Sequence, residues 1–153
     1  MGYETDIGLE RKHAKMIKAI LGTVFITQDE IADKHRGTDF AVFTVTPFTV
    51  GVRLRRYRYL SFADEFTIRW TRPSGVLTEI DKIRQGLVDY ILYGFVDETE
   101  KSIIRWFVGD LGVFRKLDPV PHVILENDPP DSQLAAYKIA QFPSNFVVKQ
   151  WPS

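Results

Sequence analysis

Near the N-terminus the apolar residues fall at helical spacing. Leu9, His13, Met16, Ile17, Ile20 and Leu21 share one side, and Arg11, Lys12, Lys15 and Lys18 the other. This predicts an amphipathic helix of about three turns, stopped at Gly22. Thr27-Gln28-Asp29-Glu30 has the form of a capping box, so a short second helix is expected to run to Lys34 and end at Gly37. The period then changes. Thr38 to Val45 is rich in Phe, Val and Thr, Thr46-Pro47-Phe48 turns the chain, and Thr49 to Tyr59 alternates. Val50, Val52 and Leu54 form one face of that strand, and Gly51, Arg53 and Arg55 the other. A third strand, Glu65 to Trp70, closes at Pro73-Ser74-Gly75.

Thr78 is a helix cap for Glu79 to Gln85, with Gly86 placed to end it. Val88 to Val96 is a buried strand, Ile103 to Val108 a further one, and Leu111 to Arg115 a single helical turn. Asp118 to Ser132 holds four prolines and four acidic residues with no Lys or Arg, which predicts an irregular connector. Gln133 to Gln141 is expected as a last helix, and Phe146 to Trp151 as an edge strand or packed tail.

Composition narrows the function classes. A chain of 153 residues fits one domain, residues 1–153, and needs no crosslink to bury a core. Without cysteine there is no disulfide, thiol nucleophile or thiolate metal site. Twenty basic residues balance twenty acidic ones, so any surface for nucleic acid must be local. No apolar run approaches the ~18 residues of a membrane span, and Met1 to Asp6 lacks the pattern of a signal peptide. A soluble, cytoplasmic protein is expected.

Two stretches carry chemistry. In Asp33-Lys34-His35-Arg36-Gly37-Thr38-Asp39 a carboxylate opens a strand after a glycine turn, with a second carboxylate upstream. Divalent metals that cleave phosphodiesters need two or three such carboxylates converging; a turn-capping role for Asp39 is the commoner alternative. The second stretch holds Arg53, Arg55, Arg56, Arg58, Arg69 and Arg72, offset locally by Asp64 and Glu65 alone. Guanidinium groups fit phosphate oxygens in a bidentate fork, and the interleaved Tyr57, Tyr59 and Trp70 can stack on bases. A solvated face with arginines paired to carboxylates elsewhere is equally compatible. His13, His35 and His122 lack metal-ligand spacing, and no phosphate loop or nucleophile elbow occurs.

Together, Gly37-Thr38-Asp39, the strand Val50-Gly51-Val52-Arg53-Leu54-Arg55, the helix Asp81 to Gly86 and Asp89-Tyr90-Ile91-Leu92-Tyr93-Gly94 resemble the core of the PD-(D/E)xK nucleases, the superfamily of Holliday junction resolvases and many restriction and phage enzymes. The resemblance covers roughly residues 7 to 115. It implies an α/β, restriction endonuclease-like fold: a helix, a three-strand meander, a helix and further strands, in a mixed central sheet flanked by helices. It also implies a phage- or mobile-element-type nuclease acting on DNA with Mg²⁺. Asp39 would bind the metal with Glu65 or Asp33, Arg55 would meet the scissile phosphate and Gln85 would orient substrate or water. Arg53 departs from the pattern, standing where the motif has its metal-binding Glu. Either the acid has moved, to Glu65, Glu10, Glu30 or Asp33, or the domain only binds, in nucleic-acid recognition or in protein assembly as a homo-oligomer.

Overall fold

A computed structural model of the chain describes residues 3–36, 47–72, 75–126 and 132–153, with the side chains of 3–7 and 26–36 excepted. The helical start is longer than its pattern predicts. Helices α1 (Tyr3–Lys12) and α2 (Ala14–Arg36) follow one another with a break at His13. Gly22 lies inside α2 and does not end it. A lone helical glycine costs about 1 kcal/mol, and burial of Leu9, Ile17 and Val24 against a sheet offsets that. Thr27 does not begin a helix, because the backbone is already helical before it.

Seven strands are present among the described residues: β1 (Val50–Arg55), β2 (Glu65–Thr71), β3 (Tyr90–Val96), β4 (Ile103–Asp110), β5 (Val123–Glu126), β6 (Gln133–Lys138) and β7 (Val147–Trp151). They form two sheets. The first, mixed, has the order β1-β3-β4-β7, with β1 parallel to β3 and the other pairs antiparallel. The second is antiparallel, in the order β2-β6-β5.

This corrects the expected meander. β1 and β2 do not pair, because the Tyr57–Phe62 3-10 turn carries the chain across to the second sheet. The strand expected at Thr38 to Val45 lies outside the described residues. Two further expectations fail. Gln133 to Gln141 is not a helix but β6 followed by a 3-10 turn, and the connector from Asp118 contains β5. β6 is the middle strand of its sheet. Its Ala135, Ala136 and Tyr137 are wholly buried, and pairing on both edges outweighs the helix propensity of an Ala-Ala step.

Alternation along β3 organises the layers. Leu92 and Val96 point to the side covered by α1 and α2, where they meet Leu9, Ile17, Val24 and Leu54. Ile91, Tyr93 and Phe95 point the other way into an aromatic core with Phe66, Phe107, Phe114, Tyr137, Phe142 and Phe146. Helices α3 (Glu79–Arg84) and α4 (Leu111–Leu117) also feed this side, through Ile80, Ile83, Leu111 and Phe114. A strand buried on both faces reads as a continuous apolar run, as Val88 to Val96 does. No helix among the described residues is long and apolar enough to cross a membrane.

The caps of α3 match their sequence signals. The Thr78 hydroxyl accepts from the Asp81 N–H, the Asp81 carboxylate accepts from the Thr78 N–H at 3.1 Å, and Gly86 follows the helix at φ 75°. From α4, Arg115 donates to the carbonyl of Ile83 in the last turn of α3 and to that of Val88 beyond it. The Thr78 N–H, and then its hydroxyl, hold the Asp81 carboxyl below its ordinary value of 3.8. Thr78→Ala should cost about 1 kcal/mol in urea unfolding. Because the folded-state value is depressed, the Asp81 contribution is present above its unfolded value and lost as pH falls through the folded one. The difference between wild type and Thr78→Ala should therefore shrink in acid. A gap independent of pH would show that the capping box carries no such linkage.

Candidate functional site

Arg53 and Arg55 occupy one face of β1, as the alternation predicts, and that face looks toward the second sheet rather than into solvent. Arg53 forms an ion pair with Glu79, the first residue of α3, and its Nη1 lies 3.4 Å from the Thr67 hydroxyl. Arg55 reaches the same hydroxyl, also at 3.4 Å. Thr67 is itself buried on β2 and shares a hydrogen bond of 3.1 Å with the Tyr93 hydroxyl. Glu79 holds a second strand, accepting from the Arg69 N–H at 3.1 Å. One carboxylate thus ties β1, β2 and α3 together around two arginines. Of the pair, the Arg53 side chain is only 16% exposed, so its charge is shielded from solvent and held by its partner.

The other arginines are also engaged. The Arg55 guanidinium carbon stands 4.1 Å from the centre of the Tyr59 ring, and that of Arg58 stands 4.9 Å from the same ring. Arg56 pairs with Glu100, and Arg69 donates to Ser132 Oγ at 2.8 Å. Of the six, only Arg58 is exposed; Arg72 is half-buried. Trp70 is covered in turn by Arg84, 5.0 Å from its ring, while Tyr57 is exposed.

Beside the Arg53–Glu79 pair lies a cavity of about 180 Å³, walled by Gly51, Val52, Ile83, Val88, Ile91 and Leu111, with Lys82 at its margin. Gly51 lies on its β1 wall. A Cβ there would stand 3.5 Å from Val88 Cγ1, an ordinary contact, so the strand accepts a glycine without a backbone need for one.

The proposed metal and catalytic residues are not all brought together. Asp39 lies outside the described residues, as do the side chains of Glu30 and Asp33. The Glu65 carboxylate is 3.8 Å from His122 Nε2 at the start of β5, and neither Arg53 nor Arg55 pairs with it. Gln85 caps the C-terminal end of α3, whereas the arginine cluster meets its N-terminal end at Glu79, about 9 Å apart along six helical residues. Lys82, one face with Gln85 in the sequence, does reach the cavity margin.

His13 is buried at the α1–α2 break and donates from Nδ1 to the Leu9 carbonyl at 2.9 Å, in keeping with its place on the apolar face. The residue missed in the sequence is Glu79. Its one local signal was its position just after the Thr78 cap, which explains it fully as a first-turn acid.

The arrangement does not fit a divalent cation at this point of β1. Arg53 places a fixed positive charge where a ligand oxygen is required, and the carboxylate nearest it, Glu79, is already committed to that charge and to the Arg69 N–H. Among the described residues no three His, Asp or Glu side chains converge as a metal site. Comparison with protein-family models, curated proteins and solved structures gives no match for this chain, which leaves a mixed α/β fold of two sheets flanked by helices as its class.

Proposed function

We propose that this chain is a non-catalytic binding domain, derived from the PD-(D/E)xK nucleases and serving in protein assembly. The observation that carries the reading is the Arg53–Glu79 ion pair. In the nuclease pattern the position of Arg53 supplies a metal ligand; here it supplies a cation locked against a helix. The internal engagement of the arginines supports assembly over DNA. A phosphate-binding face needs guanidinium groups that give up only water, whereas Arg53, Arg55 and Arg56 are half-buried and would have to leave Glu79, Tyr59 and Glu100.

The test is cleavage of supercoiled plasmid and labelled oligonucleotides in Mg²⁺ and in Mn²⁺, together with duplex-DNA binding at low salt. No nicking above buffer and no salt-dependent binding are expected. Metal-dependent nicking by the wild type that disappears in Asp39→Ala would overturn the proposal, restoring a nuclease in which Asp39, Arg55 and Gln85 act on the phosphodiester.

A further inference from the structure

The walls of the cavity beside the Arg53–Glu79 pair are of two kinds. Ile83, Ile91 and Leu111 are buried and Val52 and Val88 half-buried, and all five are branched aliphatic residues. At about 180 Å³ the space exceeds the roughly 150 Å³ in which an apolar cavity takes up a benzene ring. Aliphatic walls give water too few of the roughly two to four polar partners it needs.

The remaining wall is charged. Arg53 and Glu79 pair with each other, and Glu79 also accepts from the Arg69 N–H, so their charges cancel. Lys82 lies one turn along α3 from Glu79, is exposed, and has no carboxylate within ion-pair distance among the described residues. Its neighbour Asp81 is turned to the Thr78 cap. The charged wall therefore sums to one positive charge, set beside apolar surface. A matching ligand has an apolar body and a single negative charge.

We infer that this cavity binds a small apolar monocarboxylate. Its body, about the size of one benzene ring, lies among the aliphatic walls, and its carboxylate meets the Lys82 ammonium. A neutral ring lacks that ion pair. An amine meets two cations against one carboxylate that already holds Arg53 and the Arg69 N–H. The inference goes beyond the assembly role and does not depend on it.

Gly51 allows the cavity itself to be altered. A Cβ there meets Val88 Cγ1 at 3.5 Å and the Tyr90 carbonyl oxygen at 3.9 Å, both ordinary contacts. Gly51→Val thus adds a side chain to the wall without a clash at Cβ, and valine suits a strand.

The test is titration of the ¹⁵N-labelled full chain with benzoate, benzyl alcohol and benzylamine, which share one ring. Benzoate should shift the amides of Gly51, Ile83 and Val88 and saturate with a Kd of about 1 mM or below. The alcohol and the amine should bind roughly threefold or more weakly. Lys82→Met, which keeps an apolar side chain and removes the charge, should weaken benzoate by a similar factor and leave benzyl alcohol unchanged. Gly51→Val should weaken both. Lys82 is exposed, so its variant decides the matter even if Gly51→Val fails to fold.

No saturable shift by about 10 mM benzoate would overturn the proposal, as would shifts confined to residues away from the cavity. Equal binding of the alcohol or the amine would do the same. So would benzoate binding unchanged in Lys82→Met, or unchanged in a folded Gly51→Val. The cleavage assay is read separately. A chain that nicks DNA yet takes up benzoate here loses the non-catalytic reading and keeps the ligand site.

Discussion

Phe66→Ala should lower the unfolding free energy by about 3 to 5 kcal/mol, a large share of the roughly 5 to 15 kcal/mol that holds a domain folded. Phe66 has no exposed surface and stands at the centre of the space between the sheets. Its ring stacks on Tyr137 and Phe146 at 5.6 Å, tilts against Phe142 at 5.5 Å and meets Phe107 and Tyr93 edge-on at 5.6 and 6.2 Å. Truncation removes the hydrophobic transfer energy and leaves a void, because rings fixed by their own neighbours cannot collapse into it. Tyr137 lies on β6 and Phe107 on β4, so the loss falls on the joint between the sheets. Urea unfolding followed by tryptophan fluorescence measures it. A loss under about 1 kcal/mol would mean that the sheets are held by something other than this aromatic layer.

Gly109→Val should be the second most damaging change, by overfilling rather than emptying. Gly109 lies on β4 between Ile91 of β3 and Val147 of β7. A Cβ there would stand 2.7 Å from Phe146 Cζ, 3.1 Å from its Cε1 and 3.2 Å from Ile91 Cγ2. The Phe146 ring is wholly buried and stacks on Phe142 at 4.2 Å, so it has nowhere to swing. Forcing even an alanine in should cost about 1 to 3 kcal/mol, and valine more. The compensating change is Phe146→Leu, which removes the clashing edge. Gly109→Ala with Phe146→Leu should then be less damaging than the sum of the two single changes. Simple additivity in urea unfolding would show that the backbone yields instead of the ring.

The aromatic positions behind both predictions were visible as apolar runs in the chain, but their grouping was not. Local signals carried well where the causes are local. Thr78 and Gly86 bound α3, and the alternation of Val50 to Arg55 put the arginines on one face. They failed where distant partners decide. Gln133 to Lys138 has helix-forming residues and becomes a strand because β2 and β5 pair on either side of it. Gly22 and Thr27 carry stop and start signals that α2 overrides through burial on the sheet. The site divides the same way. Arg53 and Arg55 were legible as a pair, but Glu79, the carboxylate that fixes Arg53, is 26 residues further along, and nothing short of the fold brings it to β1.

The partition of strands also bears on how the chain assembles in time. β1 pairs with β3 only after the intervening segment has crossed to the second sheet and returned, and there β2 must find β6, joining Glu65 to Lys138. Neither sheet can be completed by zipping neighbouring hairpins. Both depend on closing long loops, and the first contacts formed bring little reward until the later ones arrive. Domains dominated by such distant pairings fold in roughly milliseconds to seconds, not microseconds. During that interval β6 stands without β2, and the newly made chain must keep more than one open strand edge from meeting a neighbour before its own second sheet closes.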